Sequence, residues 1–289
     1  IDIKEINLGP KTLSDNVLVG SLADGALSVD RFTLRSNMGG SLRGNLALRP
    51  AGDAASLSLD IAGSNLMLGM PAETAEELAR LPRYELDTVL VGNGSTVREL
   101  AASLNGYLRL VGGEGRLKAT ALRFFTGDFL SEVMNTVNPF AKKDPYTNLQ
   151  CTVVLVEIED GEATGDPVLV TQTDRLRILA DADVDLSTEK FDATIRTVPQ
   201  KGLGLSVGDL VNPFVKLSGT FAKPALTLDP ESALIEGGTA VATAGVSILA
   251  KRFKQRFIDD KDACGKALKD AEPRFTELRT KYSAATSPD

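Results

Sequence analysis

The chain of 289 residues contains no histidine and no tryptophan, and aromatic residues make up only 5% of it. The absence of histidine excludes Ser-His-Asp triads, Cys-His dyads and most zinc sites. Carboxylate pairs or Ser-Lys arrangements could still support hydrolysis, but no such pair stands out. We therefore expect a protein that is not an enzyme, with no cofactor and no metal. The core has to be built from Leu, Val, Ile and Ala.

The chain also has fewer basic residues than acidic ones. The formal net charge is −7 and the sequence pI is about 4.9. An acidic surface repels phosphate backbones, so we expect no nucleic-acid partner. The balance of 43% hydrophobic and 25% charged residues is that of a globular chain. The sequence begins with Ile1 and does not open with a signal peptide or a membrane span, and we expect it to be a segment of a longer protein.

Cysteine occurs twice, at Cys151 and Cys264. An even count fits a disulfide formed in an oxidising compartment. Two unrelated buried thiols fit the count equally well. The composition leaves both interpretations open.

Alternation of apolar and polar residues is the dominant pattern along the chain. One predicted strand places Leu42, Gly44, Leu46 and Leu48 on one face, and the next places Leu57, Leu59 and Ile61 on one face. This period of two is typical of strands with one apolar and one wet face. Gly paired with Asp, Asn or Gly between the runs indicates hairpin turns. The spacing predicts an antiparallel meander.

Helices are predicted at only a few places. Short surface helices are expected at 72–81 and 97–104, the second with a capping box formed by Thr96 and Glu99. An amphipathic helix is expected at 125–137. We divide the chain into an antiparallel β-groove at 1–236, with these helices inserted, and a helical tail at 237–289, packed on the groove or capping it. The tail is expected to break before Pro273 and to fray from Ser283.

One predicted strand, at 151–158, is apolar on both faces. We expect it to lie between the sheet and a covering helix, because a strand buried on both sides loses its alternation.

Two clusters of side chains could bear function. Asp181, Asp183 and Asp185 share one face of a strand, and we interpret them as a solvated face and not as a Ca²⁺ site, because the loop that curls such ligands round an ion is missing. Four phenylalanines fall within seventeen positions, at Phe124, Phe125, Phe129 and Phe140. They are either a local core cluster or part of a lining that contacts acyl chains.

The fold class that follows is mainly β. We expect an elongated, curled antiparallel sheet forming an open groove or incomplete barrel, with a few flanking helices and a C-terminal helical tail. Such a groove suits a ligand with a long apolar tail, because apolar contact needs no directional partner. The candidate groove residues are Leu57, Leu59, Ile61 and the four phenylalanines.

Several stretches, in this order and spacing, resemble the C-terminal region of the AsmA family of Gram-negative envelope proteins. The first pair is DGALSV (24–29) with GGSLRG (39–44), which resembles that family's repeated Gly-turn pattern. The others are GNGS with LAASLNG (92–95 and 100–106), LQC with IEDG (149–151 and 158–161), the hairpin at 179–191, and NPFVKLSGT with Lys223-Pro224 (212–224).

The resemblance implies a periplasmic β-groove anchored to the inner membrane by an N-terminal helix that this sequence does not include. It implies binding of lipid acyl chains, phospholipid transport between the inner and outer membranes and maintenance of outer-membrane integrity. The alternative is a structural or scaffold protein of the envelope that docks a protein partner. Family members often carry cysteines at the positions of Cys151 and Cys264, which implies a disulfide that fastens the tail helix to the sheet.

Overall fold

The computed structural model describes residues 2–8, 11–36, 39–67, 74–118, 146–200, 214–228 and 260–286. Fourteen strands form one sheet. Their bounds are β1 (Asp2–Leu8), β2 (Lys11–Ala23), β3 (Ala26–Ser36), β4 (Ser41–Ala51), β5 (Ala54–Leu66), β6 (Tyr84–Gly94), β7 (Asn105–Gly112), β8 (Gly115–Lys118), β9 (Tyr146–Glu159), β10 (Glu162–Thr173), β11 (Leu176–Asp185), β12 (Lys190–Pro199), β13 (Phe214–Thr220) and β14 (Lys223–Leu228).

The strands follow one another across the sheet in chain order, and each pair is antiparallel. The one exception is β8, which pairs with the start of β9 and so continues the line of β7. The two outermost strands, β1 and β14, are not paired with each other. The predicted fold class is therefore confirmed: the chain is mainly β, with a single antiparallel meander that stays open and does not close into a barrel.

The Asp-Gly hairpin turns that the sequence predicted are present, whereas the predicted Asn-Gly turn is wrong, because Asn93 and Gly94 both lie in β6. Asp24 and Gly25 have φ of 52° and 77°, and Asp160 and Gly161 have φ of 46° and 77°. Two successive positive φ values give the turn whose twist matches the strands on either side. These turns fix the register, so the alternation of each strand falls on a defined side of the sheet.

Two short helices lie in the connections beside β6. Helix α1 (Ala75–Ala79) lies within the predicted 72–81, and α2 (Val97–Ala102) lies within the predicted 97–104. Thr96 caps α2 by accepting a hydrogen bond from the Glu99 backbone N–H at 3.2 Å. The Glu99 carboxylate accepts hydrogen bonds from the backbone N–H groups of both Thr96 and Ser95, so the predicted capping box is confirmed and is extended by one residue. The helix predicted at 125–137 lies outside the described residues.

The third described helix, α3 (Ala263–Thr286), is continuous. The predicted break before Pro273 is wrong, because Pro273 lies inside the helix on its exposed side. Proline removes one backbone hydrogen bond from a helix, and contacts elsewhere along α3 hold the helix in place. The helix extends to Thr286, so the fraying predicted to begin at Ser283 is wrong for residues 283–286, and residues 287–289 lie outside the described residues. No helix in the described parts of the chain is long and apolar enough to cross a membrane.

Helix α3 packs against one face of the sheet, across β4, β5, β6, β7, β9 and β10, and it reaches Leu179 on β11. Ala263, Cys264 and Ala267 are buried against Val153, Leu155, Val170 and Leu179, and Leu278 and Tyr282 are buried against Val89 and Tyr107. We call the face that α3 covers the helix face. Strand β9 lies in the sheet with α3 over one side, as its loss of alternation predicted.

The Cys151–Cys264 disulfide is present and confirms the predicted pairing. It joins β9 to the first turn of α3, with a Cα–Cα distance of 6.4 Å across a sequence separation of 113 residues. The free-thiol alternative is therefore wrong, because both cysteines are consumed in the bond.

Candidate functional site

The side of the sheet opposite α3 carries a broad set of aliphatic side chains, which we call the apolar face. The register places Leu46 opposite Leu59 and Leu59 opposite Leu90. This row continues through Gly106 to Ile158, and the adjacent row joins Ile61 and Thr88 to Leu108 and Val156. Its members on β3–β9 are Leu27, Val29, Phe32, Leu34, Leu42, Leu46, Leu48, Leu57, Leu59, Ile61, Leu86, Leu90, Leu108, Leu110, Val154, Val156 and Ile158.

The predicted groove residues Leu57, Leu59 and Ile61 lie together on this face. Leu57 pairs with Leu48, Leu59 with Leu46 and Ile61 with Gly44. All three are half-buried, so neighbouring side chains cover them only in part. The tail helix contacts the other side of the sheet, and α3 therefore does not cover these three residues.

The apolar face excludes charge. From β4 to β7 and from β9 to β13, the regularly paired positions on this side of the described sheet hold no Asp, Glu, Lys or Arg. Its threonines on β6, β9 and β10 satisfy one another or the backbone: Thr88 donates to the Tyr107 carbonyl at 2.7 Å, and the Thr152 and Thr171 hydroxyls lie 3.3 Å apart. An uncharged surface whose hydroxyls are already paired has more affinity for hydrocarbon than for water.

Two glycines in the apolar face make room for aromatic rings. A Cβ on Gly44 would lie 3.1 Å from the Phe32 ring, and a Cβ on Gly112 would lie 2.4 Å from the Tyr84 ring. Each ring comes from a neighbouring strand and lies over the bare backbone. The rings restore apolar cover where a side chain is missing, so the face stays continuous across these positions.

Toward the C-terminal end of the sheet, residues of the apolar face are buried. Ile178, Val215 and Leu217 are buried there and form a cluster with Phe191 and Ile195. All five belong to the same face by register. The part with half-buried aliphatic side chains is therefore β3–β9, which spans five strand intervals, or about 24 Å at 4.8 Å per interval.

The helix face has the opposite chemistry. Arg274 on α3 forms a two-pronged ion pair with Glu157 on β9, its Nε lying 3.0 Å from Oε2. Arg279 donates to both carboxylate oxygens of Asp87 at 2.5 Å, and the Tyr107 hydroxyl donates to the same carboxylate at 3.1 Å. These contacts, together with the disulfide, fix α3 at both of its ends.

Burial shapes the ionisation of this polar network. Burial, reinforced by the charge of Asp87, raises the pKa of the Tyr107 hydroxyl. Partial burial also raises the pKa of the Asp60 carboxyl, and the Arg279 charge opposes that rise. The Tyr107 hydroxyl is therefore a neutral donor, and Asp87 supplies the negative charge that Arg279 pairs with.

A cavity of about 500 Å³ lies on the helix face beside the Arg274–Glu157 pair. Its apolar wall consists of Leu155, Pro167, Ala271 and Phe275. The rest of the lining is formed by Thr164, Gly165, Asp166 and Asp183 together with the Arg274–Glu157 pair. With one ion pair and two further carboxylates, this cavity is less suited to a hydrocarbon tail than the uncharged face opposite.

The remaining candidates from the sequence have mixed outcomes. The Asp181-Asp183-Asp185 run lies on the helix face, but Asp181 is only 4% exposed, so the expectation of a fully solvated face is wrong there. The register buries it because it lies two residues from the buried Leu179 on the same side of β11. Phe124, Phe125, Phe129 and Phe140 lie outside the described residues.

Sequence reasoning missed two groups of residues. Val154 and Val156 belong to the apolar face, and the alternation of neighbouring strands was the available signal. The Arg274–Glu157 and Arg279–Asp87 pairs join residues 117 and 192 positions apart, and no local pattern indicates such contacts.

Comparisons of the chain with protein-family models, with curated proteins and with solved structures found no match.

Proposed function

We propose that the apolar face binds the acyl chains of lipids while their headgroups remain in water. The observation that carries this proposal is the half-buried, largely aliphatic surface that extends over β3–β9. Burial of apolar area contributes about 25 cal/mol per Å² and needs no directional partner. A two-chain lipid can therefore gain affinity anywhere along the face, and its position can shift by exchanging one aliphatic contact for another.

The setting that we propose is the periplasm, with the full-length protein anchored to the inner membrane. Disulfides persist in oxidising compartments, and the Cys151–Cys264 bond supports such a location. In that setting, lipid binding would support phospholipid transport between the inner and outer membranes and so maintain the outer membrane. The chain would act without catalysis and without a cofactor.

The competing proposal is a scaffold protein of the envelope that docks a protein partner. The buried cluster of Ile178, Val215 and Leu217 favours it locally, because there the protein's own side chains fill the face. The two proposals differ over β3–β9, where the scaffold needs no affinity for monomeric lipid.

Displacement of a fluorescent fatty acid from the folded chain tests the proposal. Leu59→Asp places a carboxylate in the apolar face, and we expect affinity for the fatty acid to fall at least about tenfold, because a charge in an apolar site costs more than 1.4 kcal/mol. Ser56→Asp adds the same charge to the same strand on the opposite side, and we expect it to leave affinity unchanged.

Native mass spectrometry of the purified chain gives an independent reading. Exchangeable lipid on the wild type and its loss from Leu59→Asp would support the proposal. Absence of fatty-acid binding to the folded wild type would refute it and favour the scaffold. Equal losses in Leu59→Asp and Ser56→Asp would also refute it, because the binding would then not belong to the apolar face.

A further inference from the structure

Every second connection of the meander lies at the same border of the sheet, which we call the turn border. It consists of the β2–β3, β4–β5, β6–β7, β9–β10, β11–β12 and β13–β14 connections. Backbone hydrogen bonds link neighbouring turns: Gly161 N–H donates to the Leu104 carbonyl at 2.9 Å, and Leu186 N–H donates to the Gly161 carbonyl at 2.9 Å. Phe221 N–H likewise donates to the Glu189 carbonyl at 3.1 Å. These bonds join the four turns from the β6–β7 connection to the β13–β14 connection into one edge, and the β2–β3 and β4–β5 turns continue the same border.

The turn border carries most of the exposed large apolar side chains of the described residues. Leu22 is 78% exposed, Val97 is 83% exposed and Phe221 is 56% exposed. Leu27, directly opposite Leu22 in the hairpin, is the fourth, and only Val19 lies away from this border. Single exposed apolar residues are ordinary on protein surfaces, but their concentration on one border is not.

These side chains connect to the apolar face. Leu22 pairs with Leu27, which pairs with Leu48, and Leu48 pairs with Leu57. At the other end, the Phe221 ring stacks on Phe191 with ring centroids 5.9 Å apart. An acyl chain that crosses the border therefore meets apolar side chains at each step.

The spacing and charge of the turn border favour one kind of partner. Leu22 and Val97 are four strand intervals apart, and Val97 and Phe221 are six, or about 19 and 29 Å. A protein hot spot is a compact cluster, whereas a fluid bilayer accepts separated apolar side chains one by one. The turns carry five acidic residues and one basic residue, so this edge does not attract anionic lipids. The acidic residues are Asp24, Asp53, Glu99, Asp160 and Glu189, and the basic residue is Arg98.

We propose that the turn border inserts Leu22, Val97 and Phe221 into the interfacial layer of a neutral phospholipid bilayer, and that acyl chains pass over it onto the apolar face. The second half of this proposal rests on the proposed function, and the first half does not. The bilayer is the partner that the border contacts directly, and the apolar face is where the lipid then resides.

The absence of tryptophan makes the test direct, because each introduced tryptophan is the only one in the chain. The variants are Leu22→Trp, Val97→Trp and Phe221→Trp, and the matched control is Val19→Trp, which is 43% exposed in the wild type but lies away from the border. On addition of phosphatidylcholine vesicles, we expect a blue shift of emission, and quenching by acyl-brominated lipid, at the three border positions. We expect neither at position 19.

The triple variant Leu22→Ser, Val97→Ser, Phe221→Ser supplies the affinity reading by vesicle flotation. We expect its partition into phosphatidylcholine vesicles to fall roughly tenfold or more, because binding of this kind scales with buried apolar area. Replacing a third of the lipid with phosphatidylglycerol should not strengthen wild-type binding. Each variant is first checked for the wild-type fold by circular dichroism.

The outcomes separate this proposal from the proposed function. A shift at fewer than two border positions, an equal shift at position 19, or stronger binding to anionic vesicles would overturn bilayer contact by the turn border. Binding of a monomeric fluorescent fatty acid is measured on the same proteins: if it persists in the triple serine variant, the apolar face functions without the border. If border tryptophans shift while the wild type binds no fatty acid, bilayer contact stands and the lipid-binding function fails.

Discussion

Tyr107 links the sheet to α3 through both parts of its side chain. It is 1% exposed, its ring meets the Phe275 ring edge-on with centroids 5.4 Å apart, and its hydroxyl donates to Asp87. Asp87 in turn holds Arg279 of α3. A single buried tyrosine therefore supports the helix by apolar contact and also orients the carboxylate that binds the helix by charge.

Tyr107→Phe separates these two contributions. The ring contacts survive and only the hydrogen bond is lost, so we expect the free energy of unfolding to fall by about 0.5–1.5 kcal/mol. Chemical denaturation measures the change. Tyr84→Phe is the matched control, since the Tyr84 hydroxyl makes no hydrogen bond within the described residues, and its cost should be smaller. A loss for Tyr107→Phe no larger than for the control would show that the hydroxyl does not support the helix.

Among the elements, strands and turns could be predicted from the sequence better than the placement of the helix. Alternation put Leu57, Leu59 and Ile61 on one side of a strand, and the Gly52-Asp53 turn between β4 and β5 sets the register that joins them to Leu46 and Leu48. These are local signals with a period of two.

No local sequence pattern predicts which side of the sheet α3 covers. That side depends on contacts such as Arg274–Glu157, between residues far apart in sequence. Pro273 was equally misleading, because the pattern of a helix breaker does not reveal that surrounding contacts will hold the helix together.

Two separate contacts hold helix α3 on the sheet. They are the disulfide at its N-terminal end and the buried cluster of Leu278 and Tyr282 toward its C-terminal end. Cys151→Ala with Cys264→Ala removes the first. We expect the free energy of unfolding to fall by about 2–5 kcal/mol, because the bond closes a loop of 113 residues in the unfolded chain. Hydrogen exchange should become faster first in the N-terminal turns of α3, while the turns around Leu278 stay protected.

Leu278→Ala is the matched experiment at the other end. Leu278 is 1% exposed, and its truncation should cost about 2–5 kcal/mol and reverse the pattern of hydrogen exchange along α3. If hydrogen exchange became faster uniformly along the helix in both variants, α3 would open as one unit. The two contacts would then not hold the helix independently.

For the whole molecule, the decisive property is the difference between the two sides of one sheet. The apolar face over β3–β9 is uncharged, and the helix face carries the ion pairs, Asp181 and α3. The cavity of about 500 Å³ beside Phe275 is the rival site, and it lies on the helix face. The sheet itself therefore separates the two possible lipid sites.

Photo-crosslinking with a diazirine-bearing fatty acid, followed by peptide mapping, decides between them. If the apolar face binds lipid, crosslinks should fall on alternate residues such as Leu57, Leu59 and Ile61, and should be sparse at Ile178 and Val215, where the face is buried. The period of two is the signature, since insertion into a disordered surface would label Ser58 and Asp60 as often. Crosslinks concentrated at Phe275 and Leu155 would move the lipid site to the helix-face cavity and leave the apolar face free for a protein partner.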